Sequence, residues 1–114
     1  MQKTNQLHCG LSIRIYGDDK CFGPGIAELL ERVDRTKSLR QAAIDMNMAY
    51  SKAWKIIRTA EGSLGFRLLV SVTGGKGGGG AELTEEAQDF LRRFRDFENA
   101  VRDYADEAFM EFFC

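Results

Sequence analysis

Side chains able to perform catalysis or to bind a metal are few in this chain. It has one histidine, His8, and three cysteines, Cys9, Cys21 and Cys114. No two cysteines have the C-x-x-C spacing of a zinc or redox motif. His8, Cys9 and Cys21 could together ligate a metal, but reduced thiols in a cytoplasmic protein are the favoured interpretation. There is no nucleophile motif and no acid/base pair at a telling spacing, so we expect no catalytic residue, metal site, cofactor or enzyme activity.

The glycine-rich stretch 74–80 surrounds a single cation, Lys76. A Walker phosphate loop needs Ser or Thr directly after its lysine, whereas Gly77 follows Lys76 here, and a strand rather than a helix is expected next. The stretch is either a flexible linker or a hairpin tip, because strand-like segments lie on both sides of it. We favour a hairpin over residues 66–83, with Lys76, Gly77 and Gly78 available to phosphates or to a narrow minor groove.

The net charge of −1 conceals an uneven distribution of charge along the chain. Residues 35–76 carry eight basic and two acidic side chains, which is net +6. Residues 82–114 carry four basic and ten acidic side chains, which is net −6. This asymmetry indicates a local positive face for an anionic partner, although some asymmetry also arises by chance.

The elements that would position the basic residues begin with a strand and a helix. Apolar and polar residues alternate over residues 11–16, which predicts a half-buried strand. Pro24 begins a stretch with apolar residues at helical spacing, which predicts a first helix over about residues 24–36.

A helix-turn-helix is predicted over residues 38–62. Ser38 and Gln41 form a capping box that opens a short second helix. Asn47 tolerates the left-handed conformation of the tight turn that follows. A third helix is expected over about residues 49–62, and Ala42 and Ala43 are small enough for the two helices to cross closely.

The third helix is the predicted recognition helix. Its outward side chains are Ser51, Lys52, Lys55, Arg58 and Thr59, and none of them is acidic. In a helix-turn-helix this helix enters the DNA major groove with its N-terminal residues against base edges. Ser51 and Lys52 suit bases, while Lys55 and Arg58 suit bases or phosphates. The alternative is an ordinary helix with a solvated basic face.

Two aromatic residues on the same helix have different expectations. Trp54 is expected to pack beneath the helix, because aromatic residues on helices usually belong to the core. Tyr50 lies at the start of the helix and suits either the core or DNA, so we count it among the candidate DNA contacts.

A long last helix is predicted over residues 84–114. Thr84 caps its start, with acidic residues in the first turn. At 1.5 Å per residue it would be about 45 Å long, which exceeds the body of so small a domain. Apolar residues recur along it at alternating steps of three and four, as in a coiled-coil seam. The residues predicted to pair with a second copy are Phe90, Phe94, Phe97, Val101 and Tyr104. The alternative is that this face packs only against the core of its own chain.

The chain resembles a known family at residues within both the helix-turn-helix and the hairpin. Ser38-Leu39, Ala42-Ala43, Ser51, Ile57-Arg58, Glu61 and Leu64-Gly65 resemble the LysR-type winged helix-turn-helix. Tyr50 with Ala53-Trp54, the run from Thr73 to Ala81, and Leu83-Thr84 resemble the DNA-binding half of the molybdate-responsive ModE-type regulators. The resemblance covers roughly residues 10–110 and implies a winged helix that forms a dimer largely through its last helix.

The chain departs from this family at two places. Ala49 stands where the family commonly has a capping Ser, at a cost of about 1 kcal/mol in local stability. ModE-type regulators carry oxyanion-binding domains after the long helix, whereas this chain stops at Cys114. We therefore expect no molybdate binding in this chain.

The sequence predicts a mainly α protein with a small β wing: a winged-helix unit over 1–83 and a dimerisation helix over 84–114. The predicted function is sequence-specific binding of double-stranded DNA by a homodimeric transcriptional regulator of the molybdate-regulon type. The alternative is a dimeric winged-helix module that docks a protein partner and does not bind DNA. The sequence has no signal peptide and no apolar run of membrane-spanning length, so a cytoplasmic protein without a membrane partner is expected.

Overall fold

The computed structural model describes residues 7–72 and 80–114, which form four helices and two small antiparallel sheets. In chain order these are β1 (Ile15–Tyr16), β2 (Lys20–Phe22), α1 (Pro24–Thr36), α2 (Leu39–Asp45), α3 (Tyr50–Leu64), β3 (Leu69–Val72), β4 (Gly80–Leu83) and α4 (Glu85–Phe113). The predicted class, mainly α with a small β wing, is confirmed.

The first sheet is a short hairpin in which β1 pairs with β2. The strand predicted over 11–16 is paired only at Ile15 and Tyr16, and β2 was not predicted. Cys21 and Phe22 are adjacent in sequence and both buried, so β2 lacks the alternation that predicts a half-buried strand.

The core lies where α1 meets the hairpin, α2, α3 and the wing. The buried face of α1 consists of Ile26, Ala27, Leu29, Leu30 and Val33, and the helix has the bounds predicted for it. Its end is followed by Lys37 in the left-handed region, at φ 60°.

The capping box at α2 is only half formed. The Ser38 hydroxyl accepts a hydrogen bond from the Gln41 N–H at 3.0 Å, as predicted. The Gln41 side chain, however, donates to Asp45, and the Ser38 N–H donates to the Thr36 hydroxyl instead. Asn47 adopts the predicted left-handed conformation at φ 60° and turns the chain toward α3.

Helix α3 extends beyond its predicted end. Gly62 lies inside the helix, which ends at Leu64 and is followed by Gly65 at φ 86°. The Glu61 carboxylate accepts a hydrogen bond from the Leu68 N–H at 2.8 Å. This bond ties the C-terminal turn of α3 to the start of the wing.

The wing is the hairpin of β3 and β4, with Leu69 opposite Leu83 and Val72 opposite Gly80. The Ala81 N–H donates to the Lys37 carbonyl at 3.0 Å, which attaches β4 to the junction of α1 and α2. A Cβ at Gly80 would lie 2.6 Å from that carbonyl oxygen, so only glycine fits this approach.

The N-terminal half of α4 belongs to the core of its own chain. The rings of Phe90 and Phe94 lie edge-on to Phe22, with centroids 4.8 and 5.0 Å away. Phe94 is only 2% exposed. The prediction that Phe94 lines a dimer interface is therefore corrected, because an a/d spacing does not distinguish a partner helix from the chain's own core. Phe90 is partly buried and packs against the same core cluster, so much of its ring already contacts its own chain.

An ion-pair cluster fastens α4 to α1. Arg95 donates two hydrogen bonds of 2.8 Å to the Glu31 carboxylate and one of 2.7 Å to Glu98. The Arg95 guanidinium lowers the pKa of Glu31 through these hydrogen bonds. Glu98 is 1% exposed. The side chain buried in the middle of α4 is therefore a carboxylate paired with Arg95, not an apolar residue.

Candidate nucleic-acid interface

Helix α3 is held against the domain by an apolar side made mainly of small residues. Ala53, Ile57 and Ala60 on α3 are at most 1% exposed, and so are Ala42 and Ala43 on α2. The small side chains at this crossing let the two helices approach closely, as the sequence predicted. Ile56 of α3 packs against this core but is only partly buried.

The opposite side of α3 brings together the candidate DNA contacts. Ser51, Lys52, Lys55 and Arg58 are all exposed on this helix, and Thr59 is exposed beside them. The single carboxylate of α3, Glu61, is turned toward β3, where its side chain is 11% exposed. The outward face of the helix is therefore basic and free of acidic side chains.

Ion pairing separates the basic residues around α3 from the others. Within residues 7–72 and 80–114, seven Lys and Arg side chains have an acidic partner and seven have none. The unpaired side chains are Arg14, Lys20, Arg35, Arg40, Lys52, Lys55 and Arg58. Three of them are on α3 and three on the segments beside it, and only Arg35 lies on α1. All four arginines of α4 are paired, so the uncompensated positive charge is concentrated around α3.

Two guanidinium groups lie over aromatic rings along one flank of α3. The Arg40 guanidinium is 4.4 Å from the centre of the Tyr50 ring, and that of Arg58 is 4.9 Å from the centre of the Trp54 ring. The two rings meet edge to face at 6.4 Å. Trp54 packs partly against the core, as expected, and the Arg58 guanidinium lies over the exposed part of its ring.

Tyr50 is 38% exposed and belongs to this surface rather than to the core. Arg40 was missed as a candidate site residue, because the spacing of Arg40 and Tyr50 along the chain does not reveal that a turn brings them together. Lys76, Gly77 and Gly78, the predicted wing contacts, lie outside the described residues.

Within the described part of the chain, no helix is long and apolar enough to cross a membrane. The same residues contain no group of three or more His, Cys, Asp and Glu side chains placed to hold a metal ion.

The turn between α2 and α3, the basic outward face of α3 and the adjoining hairpin define a winged helix-turn-helix, a class that binds DNA. Residues 27–88 match the family described as bacterial regulatory helix-turn-helix protein, lysR family. The match covers more than half of the chain, which belongs to this family. The LysR-type resemblance noted from the sequence is thereby confirmed, and family membership makes the chain a DNA-binding regulatory domain.

The chain is also similar to individual bacterial proteins. The molybdenum transport protein ModE of Herbaspirillum seropedicae is 36% identical over 70 residues, which are 61% of this chain and 26% of that protein. The DNA-binding transcriptional dual regulator ModE of Escherichia coli K12 is 34% identical over 94 residues, 82% of this chain and 34% of that protein. The molybdenum-pterin-binding protein MopB of Rhodobacter capsulatus is 30% identical over 73 residues, 64% and 27% of the two chains. The chain thus spans about a quarter to a third of the length of these relatives.

Proposed function

We propose that this protein regulates transcription by inserting α3 into the major groove of double-stranded DNA. The observation that carries the proposal is the outward face of α3, which presents Lys52, Lys55 and Arg58 without an acidic side chain or an ion-pair partner among the described residues. A helix of about 10–12 Å diameter fills a major groove of about 12 Å width, so side chains on this face would reach base edges.

The side chains of α3 have distinct roles in this proposal. Ser51 and Lys52, in the first turn, contact base edges. Lys55 and Arg58, further along, contact bases or phosphates. Tyr50 contacts the DNA beside them, at the N-terminal end of the helix.

The wing makes a second contact in the same complex. Its predicted tip, with Lys76, Gly77 and Gly78, approaches the sugar-phosphate backbone or the minor groove. This part of the proposal comes from residue type, because one cation among glycines lets a backbone approach phosphates closely.

We further propose a homodimer that reads a two-fold symmetric site. The C-terminal half of α4 extends away from the core, and the molecule is 59 Å in its longest dimension. Phe97 is 52% exposed, Tyr104 75% and Phe112 78%, and Val101 is partly exposed between them. A second α4 would remove these side chains from water, which stabilises the dimer by about 25 cal/mol per Å² of apolar surface buried.

Since the proposed partner of the dimer is DNA, we infer a cytoplasmic location.

A salt titration separates DNA binding from the protein-docking alternative. Affinity for a random-sequence 30-base-pair duplex is measured by fluorescence anisotropy between 50 and 200 mM salt. We expect binding that weakens steeply with salt, because released counterions drive the contact with phosphates. Lys55→Ala should lower the slope of log K against log salt by about one, while Arg93→Ala on the acidic α4 should not. Absence of binding at 50 mM salt would favour the docking module.

The names of the relatives connect the protein to molybdenum. We propose on this basis that its target genes serve molybdenum uptake or use, but that residues 1–114 do not themselves bind molybdate. A tetrahedral dianion needs several fixed donors in a desolvated pocket, whereas the uncompensated cations here are exposed and α4 is acidic. Titration calorimetry with molybdate should show no saturable micromolar site, and such a site would contradict this part of the proposal.

A further inference from the structure

The hairpin of β1 and β2 forms one wall of a groove along α3. The groove has a volume of about 880 Å³. On the α3 side it is lined by Ser51, Lys52, Lys55, Ile56 and Thr59, and on the hairpin side by Arg14 and the segment from Lys20 to Phe22. These α3 residues lie on the flank of the helix opposite to Tyr50, Trp54 and Arg58.

The charge around this groove has one sign. Four of its lining residues are basic, Arg14, Lys20, Lys52 and Lys55, and none is acidic. None of the four forms an ion pair within the described residues. The side chains of Arg14 and Lys20 are exposed. Such a surface is complementary to a polyanion rather than to a neutral or cationic partner.

Local packing sets the position of the hairpin beside α3. A Cβ at Gly23 would lie 3.2 Å from Cγ of Arg14, so the stem of that arginine packs over Gly23 at the start of α1. A Cβ at Gly17 would lie 3.7 Å from Cβ of Ser63, which places the turn of the hairpin against the C-terminal end of α3. The acidic residues of that turn, Asp18 and Asp19, are not among the residues that line the groove.

We propose that Arg14 and Lys20 bind the phosphate backbone of the DNA strand that borders the major groove occupied by α3. This inference rests on the proposed function. A recognition helix fills the width of the major groove, so an element beside it faces the bordering strand rather than the bases. Arg40 and Arg58 lie on the opposite flank, and the two sets of cations therefore bracket α3 with one strand on each side.

The test measures DNA affinity of the full chain against salt for the double variant Arg14→Ala with Lys20→Ala. The probes are a duplex recovered by selection from random sequences and a scrambled version of it. Two lost phosphate contacts should lower the slope of log K against log salt by about two. When salt is raised from 50 to 200 mM, the factor by which affinity falls should therefore be about ten times smaller for the variant than for the parent. Both duplexes should be affected alike, because phosphates carry no sequence information.

The matched control is Arg92→Ala with Arg93→Ala on α4, which removes the same two charges from the acidic helix. Its slope should equal that of the parent, and an equal reduction in both double variants would overturn the inference by making the effect one of net charge. If the parent binds DNA and the slope of the Arg14→Ala, Lys20→Ala variant equals that of the parent, the inference fails while the proposed function stands. If the parent binds neither duplex, both fail. Lys20→Ala alone, with an expected slope change of about one, serves if loss of the Arg14 stem disturbs the fold seen by circular dichroism.

Discussion

At the scale of single residues, the exposed cations of α3 differ in their position along the helix. Lys52 is in the first turn of the helix, where side chains reach base edges, and Arg58 is two turns further along. Lys52→Ala should cost about 1–3 kcal/mol on a selected site and relax the preference at one base position. Arg58→Ala should weaken binding to all sequences alike and lower the salt slope by about one. Both are measured by titration of selected and scrambled duplexes.

Unchanged affinity in both variants, with the helical content intact by circular dichroism, would contradict the assignment of α3 to DNA. Loss of affinity without any change in sequence preference in the Lys52 variant would instead move Lys52 from a base contact to a phosphate contact.

Trp54 is expected to position the guanidinium group of Arg58. A cation over an exposed ring is worth about 0.5–1 kcal/mol, so Trp54→Leu should weaken DNA binding about two- to fivefold while Arg58 keeps its charge. Trp54→Phe retains a ring and should retain most of the affinity. The specific check is a double-mutant cycle, since Trp54→Leu should cost little more once Arg58 is already alanine. Additive losses in the cycle would refute the positioning role.

At the scale of elements, the wing is attached to the recognition helix through Glu61. The carboxylate accepts the Leu68 N–H at 2.8 Å, and Leu68 itself is fully buried. Glu61→Ala leaves that N–H without its partner and should lower the free energy of unfolding by about 1–3 kcal/mol. Glu61→Gln keeps an acceptor and should cost less. Urea denaturation measures both, and two variants as stable as the parent would show that the bond does not hold the wing.

The C-terminal half of α4 is the element expected to form the dimer. Phe97→Asp combined with Val101→Asp places two carboxylates in the predicted seam and should give monomers or unfolded chains. Asn99→Asp, at an exposed position off the seam, is the control and should remain dimeric. Sedimentation velocity distinguishes these states. A folded monomer for the parent chain at micromolar concentration would refute the dimer.

The elements differ in how well the sequence predicted them, for physical reasons. The helix-turn-helix rests on local signals, such as the capping hydroxyl of Ser38 and the left-handed Asn47, and local signals are visible in one sequence. The β1–β2 hairpin is held by tertiary burial of Cys21 and Phe22, which leaves no alternation. Phe94 was assigned to a second chain because its spacing is the same whether it faces a partner or its own core.

At the scale of the whole molecule, charge is separated between the surface around α3 and the acidic helix α4. Six of the seven unpaired cations among the described residues lie on α3 or on the segments beside it, while residues 82–114, which include α4, are net −6. An acidic arm repels a polyanion, so the separation would orient the protein with α3 toward DNA and α4 away from it. The sequence predicted this separation from composition alone. It did not predict that Arg40, Arg14 and Lys20 join the basic surface, because that depends on how separate segments come together.

The central claim is that two copies of α3, related by a two-fold axis, read DNA in adjacent major grooves. Selection of binding sites from a pool of random duplexes tests this claim most directly. We predict enrichment of a palindrome whose half-sites are centred about 10–10.5 base pairs apart, or a multiple of that spacing. Sequences that remain random after repeated rounds, or a single enriched site without two-fold symmetry, would contradict it.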